Sequence, residues 1–253
     1  MDRTPAKNEE QAGRSLLAIT AHPDDESGAF GGTLALYARQ GVRVDIVCLT
    51  RGEAGRHRGP AQSREQLAEI RAAEFRDACA LLGAGWCEIL AFPDAGLIRL
   101  PVAEPGAALC RVVRERRPDV VLTLGPEGGY TGHADHTAVS LIATFAFHAA
   151  GRDGLFADAG PIHQAARLYY VTGPERMTGY PDVCFPPITT EVDVSSTFER
   201  KLEAFKRHQT QSPLFERFEA AARHMGPREY FHLAASRRGS GAACPERGLF
   251  EGL

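Results

Sequence analysis

The 253-residue sequence lacks the apolar run of about 18 residues that a membrane-spanning helix requires. It also lacks an excess of either charge, since 29 Lys and Arg residues stand against 32 Asp and Glu residues, a formal net charge of -3. We therefore expect neither nucleic acid nor a membrane as a partner. The opening residues are polar and lack the apolar centre of a signal peptide, which predicts a soluble, cytoplasmic protein.

No two of the six cysteines form a C-x-x-C pair, and a disulfide framework does not fit a chain of this length. Four of them fall in apolar stretches, as expected for small buried side chains in a reducing compartment. The cysteines stand at Cys48, Cys79, Cys87, Cys110, Cys184 and Cys244.

Short apolar runs alternate with helical patterns along most of the chain. The runs that predict strands lie at 15–21, 42–50, 86–92, 119–124, 166–172 and 188–194. This alternation predicts an α/β fold in which helices cover both faces of a parallel sheet. We expect a single domain at 14–235, a disordered N-terminus at 1–13 and a loose C-terminal tail at 236–253.

Side chains with metal-binding or acid–base chemistry follow the predicted strands. Ligands of open parallel sheets bind at the carboxyl ends of the strands, so we expect one site there. His22, Asp24 and Asp25 follow the first strand, Glu53 the second, Asp94 the third, and His133, Asp135 and His136 the fourth.

The first cluster is His-Pro-Asp-Asp-Glu. Pro23 favours extended backbone at His22, so the strand continues to the histidine and then breaks. In the turn, one of the carboxylates of Asp24 and Asp25 can bind a cation while the other faces a water molecule. A hydrolytic metal needs about three protein ligands and one open position. The alternative is a helix N-terminus, where acidic residues complement the helix dipole without any metal.

The second cluster, Gly-His-Ala-Asp-His, follows a glycine-rich turn. His133 and His136 share one side of a starting helix, and Asp135 can hold an imidazole in one tautomer. A polar helix cap would explain this segment alone. Two such clusters after two strands of one sheet instead predict a metal-dependent hydrolase, in which a carboxylate accepts the proton of water and a histidine stabilises the oxyanion or protonates the leaving group.

Other α/β classes lack their signatures. A dinucleotide-binding protein needs G-x-G-x-x-G after the first strand, where this chain has H-P-D-D-E-S-G. A phospho-receiver domain could use Asp94 but needs a lysine after the fifth strand. The only lysines are Lys7, Lys201 and Lys206, none so placed. No G-x-S-x-G marks a serine nucleophile.

Four segments taken together resemble the PIG-L/LmbE family of zinc-dependent N-acetylglucosaminyl deacetylases. They are A-H-P-D-D-E at 21–26, L-T-R-G-E-A-G at 49–55, F-P-D at 92–94 and G-H-A-D-H at 132–136. The resemblance runs from about residue 16 to residue 211. It implies a Rossmann-like, mostly parallel sheet with helices on both faces.

The activity implied by the resemblance is hydrolysis of the N-acetyl group of an N-acetylglucosamine conjugate, releasing acetate and the free amino sugar. GlcNAc-malate and GlcNAc-inositol, which belong to bacillithiol and mycothiol synthesis, are examples. A chitooligosaccharide, a glycosylated natural product and a non-catalytic sugar-binding relative remain open, although intact Asp24 and His133 argue against the last.

The resemblance also implies a ligand set. One Zn²⁺ per chain, or Fe²⁺ or another divalent ion, would be bound by His22, Asp25 and His136. Asp24 would be the general base. His133 would stabilise the oxyanion or act as general acid, with Asp135 orienting it.

Further positions resemble substrate contacts of the family: Glu53, Arg71, Asp94 and Tyr130. The role of Tyr130 is open, because some members place a tyrosine two residues before the first histidine and here it stands three before. The role of His208 is open too, in an H-Q-T-Q segment that resembles the His-x-Ser-Gln of the family. We expect the loops 56–60 and 152–163 to set specificity for a small-molecule amino-sugar conjugate; a homo-oligomer remains open.

Overall fold

The computed structural model describes residues 13–175, 184–238 and 246–253. Apart from Gly13, the predicted disordered N-terminus therefore lies outside the described residues, as does the part of the predicted tail at 239–245.

Seven strands of the described residues form one sheet in the order β3-β2-β1-β4-β5-β7-β6. They are β1 (Ser15–Thr20), β2 (Arg43–Thr50), β3 (Trp86–Phe92), β4 (Val120–Thr123), β5 (Arg167–Thr172), β6 (Thr190–Asp193) and β7 (Arg228–Ser236). The first five strands run parallel, and β7 is antiparallel to both β5 and β6. The predicted α/β fold with a mostly parallel sheet is confirmed.

The described helices form two groups. They are α1 (Asp25–Arg39), α2 (Arg64–Leu82), α3 (Ala103–Arg116), α4 (Ala134–Ala150), α5 (Phe198–Phe205) and α6 (Phe215–Met225). Helices α1, α2 and α5 contact one another, and α3 packs on α4. Right-handed crossovers between parallel strands produce such helix layers on the faces of a sheet. No helix within the described ranges is long and apolar enough to cross a membrane.

Strand β1 lies at the centre of the parallel part of the sheet and all six of its residues are buried. It pairs with β2 on one side and β4 on the other. A strand covered on both faces reads as a continuous apolar run, which is why this segment is apolar almost throughout. Its burial fixes the position of the residues that follow Thr20.

Part of the segment 246–253, which was predicted to belong to a loose tail at 236–253, is packed on the core. Leu249 and Phe250 are buried, and the Phe250 ring meets that of Tyr37 edge-to-face at 5.1 Å between centroids. Glu246 pairs with Arg167 at 2.9 Å. All of these partners are distant in the chain, so no local sequence pattern marks the segment as ordered.

Candidate active site

Both predicted clusters lie at the point in the sheet where the order of the strands reverses, between β1 and β4. The chain passes from β1 to β2 on one side, and β4 pairs with the other side of β1. In open α/β sheets this switch point leaves a crevice at the carboxyl ends of the strands. A cavity of about 920 Å³ lies there. Its lining includes His22, Asp24, Asp25, Asp94, His133 and His136.

Asp25 begins α1 and lies between two imidazoles. Its Oδ2 accepts the backbone N–H groups of Ala21 at 3.1 Å and His22 at 2.8 Å, and its Oδ1 is 3.1 Å from His136 Nε2. Burial alone would raise the pKa of Asp25, but the imidazoles of His136 and His22 hold it well below its usual value. This carboxylate is therefore ionised and fixed in orientation.

Asp24 has left-handed backbone, with φ 119°. Its N–H donates to Glu26 Oε2 at 3.0 Å, and its Oδ2 accepts from Arg71 Nη2 at 2.9 Å. Burial raises the pKa of Asp24 to about 6 against the opposing charge of Arg71. A carboxyl group with such a pKa can both accept and release a proton near neutrality.

Arg71 was predicted to contact the sugar, but in the structure it holds the turn that carries Asp24. The guanidinium is buried and donates to the carbonyl oxygens of Gly52, at 3.0 Å, and of Pro23, besides the Asp24 carboxylate. It also forms part of the cavity wall. Its donors are thus largely committed to the protein.

His22 is surrounded by carboxylates. Its Nε2 lies 3.1 Å from Asp94 Oδ1 and 3.5 Å from Asp135 Oδ2, and its Nδ1 lies 3.6 Å from Asp25 Oδ2. Burial alone would lower the pKa of His22, yet the three carboxylates hold it well above its usual value. The Asp135 carboxylate, expected to orient His133, thus faces His22 instead. Asp135 reaches His133 through its backbone N–H, which donates to His133 Nδ1 at 3.1 Å.

The two histidines of the second cluster differ in environment. His136 is buried, and its Nδ1 lies 3.1 Å from the carbonyl oxygen of Gly128, which directs Nε2 towards Asp25. His133 is exposed to the cavity. Partial burial and the imidazoles of His22 and His136 lower the pKa of His133. His133 is therefore neutral at neutral pH.

The donor set fits a divalent cation. Nitrogen atoms of His22, His133 and His136 all lie within 4.8 Å of one another, and the same holds for ligand atoms of His22, Asp94 and Asp135. The buried Asp135 Oδ2 has no hydrogen-bond partner. Imidazole and carboxylate ligands suit zinc and other divalent transition metals. Asp25, the third predicted ligand, lies outside both groups but has its carboxylate 3.6 Å from His22 Nδ1 and 3.1 Å from His136 Nε2.

Glu53 and Asp94 connect two loops. The Asp94 N–H donates to Glu53 Oε1 at 3.0 Å, and the Ala54 N–H donates to Asp94 Oδ2 at 2.7 Å. Burial alone would raise the pKa of Asp94, but the neighbouring His22 lowers it to about 2. Asp94 lines the cavity and Glu53 does not. Of these two predicted sugar contacts, Asp94 thus lies in the cavity wall and Glu53 is bonded to its backbone.

Tyr130 lines the cavity, but its hydroxyl group donates to the carbonyl oxygen of Thr172 on β5. Burial raises the pKa of this phenol well above its usual value. The structure therefore gives the Tyr130 hydroxyl an acceptor within the protein.

His208, whose role the sequence left open, is fully buried behind the first cluster. Its Nε2 lies 2.7 Å from Glu26 Oε1, and the other oxygen of Glu26 accepts the Asp24 N–H. His208 does not line the cavity. It contacts the site through Glu26, from the C-terminal part of the chain.

One wall of the cavity comes from α5, α6 and the residue before α6, and we did not predict this wall. Arg56 and His57 of the expected specificity loop 56–60 do line the cavity, whereas no residue of 152–163 does. The residues of this wall are Lys201, Phe205, Leu214, Arg217, Phe218, Ala221, Ala222 and Met225.

Comparisons with known proteins agree on family and fold. Residues 17–147 match the family model described as PIG-L: GlcNAc-PI de-N-acetylase. A 1D-myo-inositol 2-acetamido-2-deoxy-alpha-D-glucopyranoside deacetylase of Rhodococcus jostii (strain RHA1) is 34% identical over 240 residues, which cover 78% of this chain and 82% of that protein.

Two solved structures are similar over most of their length. The N,N'-diacetylchitobiose deacetylase from Pyrococcus horikoshii has a TM-score of 0.74 at 24% identity, covering 87% of this chain and 83% of its own. GalB, the 4-carboxy-2-hydroxymuconate hydratase from Pseudomonas putida KT2440, has a TM-score of 0.73 at 22% identity, covering 91% and 100%. At these identities the two structures support the fold alone.

Proposed function

Because the chain belongs to the PIG-L family of de-N-acetylases, we propose that it hydrolyses the N-acetyl group of an N-acetylglucosamine conjugate and releases acetate and the free amino sugar. The observation that carries the proposal is the position of Asp24. This half-buried carboxyl group, with a pKa of about 6, lines the same cavity as His22, Asp25 and His136. The named activity of the Rhodococcus relative makes GlcNAc-inositol the reference substrate.

The residues that would hold the metal are His22, Asp25 and His136, and zinc and iron both suit them. When bound, such an ion supplies positive charge that polarises an acetyl carbonyl and makes water more acidic. Asp94 and Asp135 lie beside Nε2 of the His22 ring, whereas Asp25 lies beside Nδ1. Carboxylates in this position set the tautomer and orientation of a metal-binding imidazole.

Asp24 is the proposed general base. It accepts a proton from the attacking water while the oxygen of that water forms a bond to the acetyl carbon. The C–N bond then breaks, and the proton held by Asp24 is the one that the departing amine requires. A pKa of about 6 suits both transfers.

His133 is the proposed donor to the oxyanion. Its Nδ1 accepts the Asp135 N–H, so the neutral ring carries its proton on Nε2. A neutral Nε2–H group facing the cavity can donate to the negative oxygen that develops on the acetyl carbonyl. This assignment favours oxyanion stabilisation over general-acid catalysis for His133.

The proposal is tested by acetate release from GlcNAc-inositol. Purified protein should release acetate, lose this activity on chelation and regain it with Zn²⁺ or Fe²⁺. Asp24→Asn should retain metal while kcat falls by about 10²- to 10⁴-fold, because the base is lost. The exposed Asp77→Asn on α2 is the matched control and should behave as wild type.

Metal analysis separates the roles. His136→Ala should lose bound metal, whereas His148→Ala, an exposed histidine on the same helix, should retain it. Turnover at the wild-type rate in Asp24→Asn, or full activity after complete metal removal, would refute the mechanism.

A further inference from the structure

The cavity is larger than the reacting group needs. Its volume of about 920 Å³ lies near the upper end of the range of about 300–1,000 Å³ for sites that bind drug-sized ligands. The acid–base residues line one part of it. Helices α5 and α6, with Leu214, line another part.

The wall on α6 is mostly apolar. Leu214, Phe218, Ala221, Ala222 and Met225 line the cavity with the spacing of one helix face, and the exposed Arg217 lines it with them. Two other charged side chains of the helix have ion-pair partners and do not line the cavity. The exposed Arg223 bonds Glu199 at 2.9 Å, and Glu219 bonds Lys206 at 2.7 Å.

This wall begins close to the proposed base. The rings of Phe205 and Phe218 stack with centroids 3.8 Å apart. A Cβ at Gly28 would lie 3.7 Å from the Phe205 ring and 4.0 Å from the Phe218 ring. The Gly28 N–H donates to the Asp24 carbonyl oxygen at 2.8 Å, so the two rings lie one helical turn from Asp24. In an N-acetylglucosaminide, the aglycone on C1 is adjacent to C2, which carries the acetamido group. An amide held at Asp24 therefore places the aglycone within reach of this wall.

Building on the proposed deacetylation, we propose that the natural substrate is an N-acetylglucosaminide with an apolar aglycone, aryl or alkyl, that packs on the α6 wall. Inositol would turn hydroxyl groups towards Phe218, Ala221 and Met225, whose side chains offer no hydrogen-bond partner. Burying hydroxyl groups without such a partner costs binding free energy. An apolar group instead removes carbon surface from water.

An anionic aglycone is the main alternative, since basic side chains also line the cavity. Two of them are already paired, Lys201 with Glu229 at 2.7 Å and Arg71 with Asp24 at 2.9 Å. Arg56 belongs to the exposed loop after β2, and on the α6 wall Arg217 stands among five apolar residues. We therefore favour the apolar group and make the anionic one an arm of the test.

The test compares kcat/KM for acetate release by the metal-loaded enzyme from four conjugates of N-acetylglucosamine: phenyl, butyl, inositol and malate. One methylene group recognised by an apolar pocket changes kcat/KM by about 10- to 200-fold, so the phenyl and butyl glycosides should exceed the other two by at least about tenfold. Equal or higher values for inositol or malate would overturn the inference and leave the deacetylation intact. Release from none of the four would contradict the deacetylation itself.

Two neighbouring alanines supply a matched pair of variants. Ala221 lines the cavity, whereas Ala220 on the same helix is exposed and does not. Ala221→Asp places a carboxylate in the apolar wall and should lower the phenyl-to-inositol ratio of kcat/KM by about tenfold. Ala220→Asp should keep the wild-type ratio. The same ratio in both variants would overturn the inference.

Discussion

Asp24 combines a left-handed backbone with a half-buried carboxyl group. A non-glycine residue with φ 119° stores strain of about 1–3 kcal/mol. Three groups hold it there. Arg71 bonds the side chain, Glu26 bonds the backbone N–H, and His208 fixes Glu26 from behind. The proposed base is thus oriented by residues that never reach the cavity, together with one that lies in its wall.

We expect Arg71→Met to lower kcat by about 10²-fold with little change in KM, because a misplaced catalytic group costs that much and the guanidinium already serves Asp24. Steady-state kinetics with GlcNAc-inositol measures both constants. Arg76→Met, at an exposed position of the same helix, is the control. A raised KM with unchanged kcat would instead make Arg71 the sugar contact that the family resemblance implies.

At this scale, the sequence predicted which residues meet but not all of their partners. Each cluster comes directly after one strand of the parallel sheet. The side chains of His22, Asp25, His133 and His136 therefore converge at one edge of the sheet, as expected. The partner of the Asp135 carboxylate depends on where the β1 and β4 ends stand relative to each other. That relation is a property of the sheet, and no local pattern encodes it.

Among the elements, the parallel strands were predictable and β7 was not. Buried parallel strands appear in a sequence as continuous apolar runs. Strand β7 lies between β5 and β6, so its place depends on long-range pairing. Most of its residues are only partly buried, so the strand does not appear in the sequence as a continuous apolar run. Helix α5 ends at Phe205, and a 3₁₀ helix follows at Gln209–Leu214.

The packing of α2 on the edge strand β3 brings two cysteines together. The Cys79 thiol donates to the sulfur of Cys87, which lowers the pKa of Cys87 to about 7 against partial burial. The thiolate fraction of Cys87 should therefore rise as pH passes through about 7. We expect alkylation of Cys87 by iodoacetamide, followed by peptide mass spectrometry, to reach half its maximal rate near that pH.

The matched variant is Cys79→Ala, which removes the donor. It should move the alkylation midpoint of Cys87 to higher pH, because the thiolate loses its hydrogen bond. An unchanged midpoint would show that Cys79 does not set this pKa.

On the scale of the whole molecule, the C-terminal residues close the core. Phe250 packs on Tyr37 near the end of α1, and the Arg14 guanidinium lies 5.4 Å from the centre of its ring. Arg167 bonds Glu246 and the carbonyl oxygen of Glu251. The final residues thus connect the first helix to β5. The composition of the tail, which is rich in Gly and Arg, does not predict contacts with residues so distant in the chain.

Phe250→Ala should lower the free energy of unfolding by about 3 kcal/mol, since removing a buried phenylalanine side chain costs about 3–5 kcal/mol. Denaturant unfolding measures the change. Glu251→Ala, at an exposed neighbouring position, is the control. A loss below about 0.5 kcal/mol, typical of surface positions, would mean that the segment contributes little to the core.

The proposed chemistry and the proposed aglycone wall come from separate stretches of this chain. Every residue proposed to hold the metal or move a proton lies within the family-matched segment 17–147. The mostly apolar wall lies on α5, α6 and Leu214, beyond its end. Side chains of one short helix can therefore change without any change in the reacting groups. A lineage built in this way could keep a single reaction and diversify its substrates through substitutions in α6.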